Sequence, residues 1–414
     1  MNDKNVLREL IKKTLEVANK DIQDKRRKMW TEFNSMTSHH VPVYILDPQG
    51  VWREIFDQKD LLCQDPLFRQ YENWLRLQLY HDTFGDDFIT EPWVTVYPEY
   101  LNTTPNWVTW GVPVHINRLK ETMAMGFCEP PIKDMNDIEK LIPPIPIIDE
   151  ARTEEKLAKL DDAFGGLIPI YQDRLPLHPH TYGLSYTLAY LLGPEGIMYK
   201  IYDEPEVVHA LCRLLTDTYI QICDMAEEKG WYTNINHTFM ANAQIQAMTY
   251  SDIPSPGQPV QVTSMKQHWI YDCAQEFEGI GPEMFNEFLI EYTKPVYEKF
   301  GLTAYGCCEG LGKKIKYLKR INNLRRVAVT PWTDIELCAK QLEDKYIISY
   351  RPHPADMVGP GWEPKRVKES IRKAKEIFDN YNCYWEINLK DFLTVQHDKT
   401  RLEKWVEVVR EAIE

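Results

Sequence analysis

No run of about 18 apolar residues, the length needed to cross a bilayer, occurs anywhere in the chain. Its first residues, Met1-Asn2-Asp3-Lys4, are polar and carry no apolar signal core. A soluble cytoplasmic protein is the expectation. Basic residues are in deficit, 48 against 62 acidic ones, for a net charge of −14. That balance argues against nucleic acid and against an anionic membrane as the main partner, because phosphate binding needs a positive surface. Neither G-x-G-x-x-G nor G-x-x-x-x-G-K-[ST] occurs, so two nucleotide-binding signatures are missing. There is also no sequence repeat and no low-complexity segment. The nine cysteines are odd in number and scattered, which is no disulfide framework and leaves free thiols.

What the chain does have is enough apolar material for a large core: 43% hydrophobic and 12% aromatic residues. Residues 1–35 read as a charged helical extension, with Leu7, Leu10, Ile11, Leu15 and Ala18 on one stripe that packs outside the body or on another subunit. A homodimer is compatible with that stripe. From residue 36 to 414 the pattern alternates. Strand-like runs at 41–46, 93–97, 167–171, 232–237, 302–305, 326–330, 346–350 and 383–387 are separated by helical patterns, the last three at 334–343, 363–379 and 399–413. A hairpin excursion is expected over 107–116. Eight strand and helix alternations predict one (β/α)₈ TIM barrel with an N-terminal helical extension.

The chemistry gathers where strands hand over to helices. Leu302-Thr303-Ala304-Tyr305-Gly306-Cys307-Cys308-Glu309-Gly310 ends a strand in two soft ligands, a carboxylate and a turn glycine. Thiolates and imidazoles suit zinc when they converge from several strand ends. Cys308, Cys383 and His237 are the expected metal ligands, with Glu309 a fourth candidate. Cys63, Cys212, Cys223 and Cys338 lie in helical patterns and are better read as small buried hydrophobes. Glu309 and His180 are the candidate proton carriers. Trp107, Trp110, Trp385 and His353 stand close to the same rim and suggest a pocket for an aromatic substrate.

Four segments carry a resemblance. They are Gly183-Leu184-Ser185-Tyr186-Thr187-Leu188-Ala189-Tyr190-Leu191-Leu192-Gly193-Pro194-Glu195, Tyr202-Asp203-Glu204-Pro205-Glu206-Val207-Val208, Ile280-Gly281-Pro282-Glu283-Met284-Phe285-Asn286-Glu287-Phe288, and the strand ending in Cys307-Cys308. With them the chain resembles the uroporphyrinogen decarboxylase superfamily, and within it the cobalamin-linked methyltransferases. The family's fold is a TIM barrel. The arginine-rich Met-Arg-Gln-Ala-Gly-Arg motif of the true decarboxylases is absent, which argues against porphyrin decarboxylation. The methyltransferase branch binds zinc through a His-x-Cys strand end and a second cysteine on the last strand. Cys308 and Cys383 keep that spacing, but the histidine position is Gly306. The chain also looks like the first methyltransferase of anaerobic O-demethylase systems. That resemblance implies transfer of a methyl group from a methoxylated aromatic to cob(I)alamin on a separate corrinoid protein, with methylated amines, thiols and methanol as alternative donors.

Overall fold

The computed structural model describes residues 2–46, 49–101, 110–113, 116–118, 125–127, 130–175, 183–233, 247, 249–253 and 264–414. Ten strands lie in these segments: β1 Val43–Ile45, β2 Val94–Val96, β3 Ile116–Arg118, β4 Met125–Phe127, β5 Ile170–Gln172, β6 Trp269–Asp272, β7 Leu302–Tyr305, β8 Leu324–Val329, β9 Ile347–Tyr350 and β10 Tyr384–Leu389. Six form one sheet in the order β1-β10-β9-β8-β7-β6, every pair parallel. The first strand therefore pairs with the last, as barrel closure requires. β2 and β5 form a separate parallel pair, and no ladder joins the two sheets among the described residues. The barrel expectation is met over this six-stranded arc, and a complete barrel is not seen.

Three details differ from the expected pattern. The strand β6 is not among the expected ones, because three apolar residues, Trp269, Ile270 and Tyr271, between polar neighbours give too short a pattern to separate from a loop. The antiparallel hairpin is β3 with β4 and starts where the expected hairpin ends. Of the strand expected over 232–237, Tyr232 and Thr233 lie outside any strand, and 234–237 fall outside the described residues.

Side chains alternate across a strand, so register assigns each one to a face. Ile270, Tyr305, Val327, Val329, Ile348, Tyr350, Trp385, Ile387, Val43 and Ile45 share the outer face. They join the main core with helices such as Pro364–Asn380, which supplies Val367, Ile371 and Phe378, and Arg401–Ile413, which supplies Trp405 and Val409. Each fully buried side chain of this size contributes about 1.5–3 kcal/mol through removal from water. The inner face holds Trp269, Tyr271, Ala304, Arg326, Ser349, Glu386 and Asn388 in register, a lining far more polar than the outer one.

The N-terminal segment is two helices, Asp3–Ala18 and Asp21–Asn34. The first packs its Val6, Leu7, Leu10 and Ile11 on Tyr71, Trp74 and Leu75 of the helix Pro66–His81. The second is no outside appendage. Trp30 and Phe33 are fully buried against Tyr44, Leu46 and Ile347, and Arg326 reaches down from the inner face to donate to Asn34 Oδ1 at 2.6 Å. This helix covers the inner face at the N-terminal ends of the strands. Among the described residues, no helix is long and apolar enough to cross a membrane.

Candidate active site at the strand ends

The turn after β7 is set by a glycine. Gly306 has φ 105°, and a Cβ there would sit 2.6 Å from Leu311 Cδ1 and 2.9 Å from Ala328 Cβ. Its N–H donates to Asp272 O at 2.8 Å, continuing the β6–β7 ladder by one bond. The histidine of the methyltransferase motif could not occupy this position without moving the turn. Beyond it, Cys307 and Cys308 come to the C-terminal ends of the strands, the end where α/β barrels keep their chemistry.

Two cations reach the thiols. Lys390, the residue after β10, places Nζ 3.0 Å from Cys307 Sγ and 3.2 Å from Cys308 Sγ, and the two sulfurs are 3.4 Å apart. Arg351, the residue after β9, donates from Nη1 to Cys307 O at 2.5 Å. Asp391 Oδ2 accepts from Cys308 Sγ at 3.2 Å and lies 2.7 Å from Lys390 Nζ. Cys273, following β6, also acts on the Cys307 thiol. Hydrogen bonds from Cys273 and Cys308, with the charges of Lys390 and Arg351, hold the Cys307 thiol well below its usual range. The same hydrogen bonding to Cys307, reinforced by burial, pushes Cys308 and Cys273 up. Burial and Arg351 work against the Lys390 charge, but Cys307, Asp391 and Cys308 outweigh them and raise it. The cluster thus favours negative charge on Cys307 over Cys308 and Cys273, facing the Lys390 ammonium.

Glu309 is only 1% exposed and fully engaged. It accepts from Ala274 N at 2.8 Å and from Cys307 N at 2.9 Å, tying the loops after β6 and β7 together. Burial pushes its carboxyl above the usual range against the pull of those two donors. Asp272, at the end of β6, accepts from Tyr297 OH and Cys273 N at 2.8 Å each and from Gly183 N at 3.1 Å. Burial raises it to about 7.

The structure does not bring Cys383 to Cys308. Cys383 precedes β10 and Lys390 follows it, so seven residues of extended chain, about 23 Å, separate the two positions. A residue beside a strand can stand at either end of it, and Cys383 stands at the N-terminal end of β10. The Cys383 sulfur instead lies 3.9 Å from Ala339 O. Trp385 faces outward onto Phe378, with ring centroids 5.0 Å apart, and Trp110 is buried in the main core, so neither lines the mouth. His353 does stand on the mouth side. It caps the short helix Pro354–Met357 through Nδ1, 3.2 Å from Ala355 N, and packs edge-on against the exposed Trp332. Cys63, Cys212, Cys223 and Cys338 are buried, as expected of packing residues. Trp107, His178, His180 and His237 lie outside the described residues.

The described residues contain no group of three or more His, Cys, Asp or Glu side chains that could hold a metal ion. The set Cys308, Cys383 and His237 does not fit zinc as one site, since Cys383 is at the far end of its strand. Sequence reasoning missed Cys273, Arg351 and Lys390. A signal existed: each is the first residue past its strand, with the parity of the inner face.

No protein-family model matches the sequence, and no curated protein does. A solved structure, a methyltransferase from Methanosarcina mazei, is similar to this chain with a TM-score of 0.51 and 10% identity, over 93% of this chain and 98% of that one. At that identity the likeness is one of fold.

Proposed function

We propose that the chain is a methyltransferase that moves a methyl group from a methoxylated aromatic to the cobalt(I) of a separate corrinoid protein. The observation that carries this reading is the Lys390 ammonium set between Cys307 and Cys308 at the strand ends. The fold shared with a methyltransferase and the family resemblance of the sequence support it. In the reaction the bond between methyl carbon and ether oxygen breaks as the methyl passes to cobalt, and the leaving oxygen gains negative charge. Lys390 is placed to stabilise that oxygen and then to give it a proton, yielding a phenol. The Cys307 thiolate and Asp391 keep Lys390 charged until that moment. Glu309 holds the loop that carries both thiols, which makes it a positioning residue.

A corrinoid is bulky, so its carrier must dock over the mouth. Trp332 and Leu393, both 65% exposed on the loops after β8 and β10, offer apolar contacts there. The test supplies the reduced corrinoid protein and follows the cobalt(I) to methylcobalt(III) spectral change with a panel of donors. Methoxylated aromatics should methylate the cobalt, and Lys390→Met should lower kcat by about 10²–10³, the usual effect of removing one charge-stabilising donor. Activity with only methylated amines, thiols or methanol would replace the substrate class. Inactivity with every donor would end the methyltransferase reading.

A further inference from the structure

Several thiols of the chain are sealed in the core and face oxygen. Cys63, Cys212, Cys338 and Cys383 are buried, and their sulfurs contact Asp3 O, Phe288 O, Thr333 Oγ1 and Ala339 O. Cys307 and Cys308 differ in both respects. They are half-buried at the strand ends, and their sulfurs face each other at 3.4 Å. Packing does not call for two adjacent thiols turned toward one another, and the reaction proposed above uses only the Cys307 thiolate.

The surroundings supply what oxidation of a thiol pair needs. Lys390 Nζ stands 3.0 Å from the Cys307 sulfur and 3.2 Å from the Cys308 sulfur, so one proton donor serves both. Asp391 Oδ2 accepts from Cys308 Sγ at 3.2 Å, which places a proton acceptor at the second sulfur. The pair is therefore unsymmetrical, with Cys307 set to attack an oxidant and Cys308 set to resolve the product.

We propose that Cys307 and Cys308 are a peroxide-sensitive dithiol that closes reversibly to a disulfide. With hydrogen peroxide as the oxidant, the Cys307 thiolate attacks one oxygen. The S–O bond forms as the O–O bond breaks, and the departing hydroxide takes a proton from Lys390 and leaves as water. Cys308 Sγ then attacks the sulfur of the Cys307 sulfenic acid. The S–S bond forms as the S–O bond breaks, and hydroxide leaves as a second water with the Cys308 proton, passed by Asp391. The two sulfurs lose two electrons, the peroxide gains them, and Lys390 is left as an amine that regains its proton from solvent. Adjacent α-carbons stand about 3.8 Å apart, less than the ~4.4–6.8 Å usual across a disulfide, so the closed ring is strained and readily reduced. Closure removes the thiolate beside Lys390 and should stop methyl transfer. That consequence rests on the methyltransferase reading, and the modification itself does not.

The test treats the reduced full chain with a single equivalent of hydrogen peroxide, blocks the remaining thiols with iodoacetamide and maps the tryptic digest. Cys307 and Cys308 fall in one peptide, residues 300–313. That peptide should be two hydrogens lighter and unalkylated, and dithiothreitol should restore both thiols. Lys390→Met should slow closure about tenfold, as loss of a charge-assisted hydrogen bond at the attacking sulfur does. In Cys308→Ser the change should stop at a Cys307 sulfenic acid that dimedone traps, which keeps the test open if the Lys390 variant does not fold. An unoxidised peptide, a link from Cys307 to Cys273, a sulfinic acid on Cys307 without closure, or an unchanged rate in folded Lys390→Met overturns the proposal. If the disulfide forms and methyl transfer to the corrinoid continues, the dithiol stands and the role given to Cys307 in that reaction falls.

Discussion

Replacing Gly306 by alanine tests whether the turn that presents the thiols depends on a missing side chain. The residue sits at φ 105°, where an L side chain is strained, and the new Cβ would meet Leu311 Cδ1 at 2.6 Å and Ala328 Cβ at 2.9 Å. Backbone strain of this kind costs about 1–3 kcal/mol, and overpacking a buried site costs a further ~1–3 kcal/mol. Alanine also stiffens the unfolded chain, which returns about 0.4–1 kcal/mol. The sum is a destabilisation of about 1–6 kcal/mol. Leu311 can swing its terminal methyl away, whereas the Ala328 Cβ is fixed to the β8 backbone, so the second contact decides the outcome. Urea unfolding of Gly306→Ala, Leu311→Ala and the double variant measures this through the shift in midpoint at constant slope. The double variant should be less destabilised than the sum of the singles, with a coupling of about 0.5–3 kcal/mol. A Gly306→Ala protein within about 0.5 kcal/mol of wild type, the range of ordinary surface changes, would refute the reasoning.

Two further outcomes follow from the ionisable groups. Asp272 has a folded pKa raised from 3.8 to about 7, so its contribution to stability is greatest below pH ~4 and is lost as pH rises to about 7. The loss is at most about 4 kcal/mol at 1.36 kcal/mol per unit, and Asp272→Asn should remove that slope; parallel pH–stability curves for the two proteins would count against it. Cys307, held low by its hydrogen-bonded thiol neighbours and by Lys390, should be alkylated by iodoacetamide at about pH 6, where an ordinary thiol with pKa near 8.5 is mostly unreactive. Peptide mapping should show Cys308 and Cys273 lagging and Lys390→Met slowing Cys307, and a Cys307 no faster than they are would remove the thiolate from the site.

The strands β7 to β10 were legible because each carries at least two β-branched or aromatic residues in a short run with helical patterns around it. The strand β6 was not, since Trp269–Asp272 is four residues long and its neighbours give no periodicity. The Cys307-Cys308 corner was legible as a strand end. Its partners were not, because which residue faces Cys307 is decided by register between strands whose contributing residues, Cys273, Arg351 and Lys390, lie 34, 44 and 83 positions from it, and register leaves no local mark. The same gap explains Cys383. A cysteine at the edge of a strand looks alike from either end, and only the direction of the chain through the sheet tells the mouth from the base.

The burial of Trp30 and Phe33 under the inner face has a kinetic consequence. With the chain's own second helix packed under the base of the six-stranded sheet, the proposed donor and the proposed corrinoid carrier approach from the same opposite end, at the strand ends that hold the thiols. Small substrate and large partner would then compete for the same passage in time. The donor has to enter first, the demethylated product cannot leave until the carrier lifts off, and an excess of carrier should slow turnover by occupying the entrance before the donor arrives. Opening the base by removing the second helix would abolish that compulsory order at the expense of the floor on which Arg326 rests.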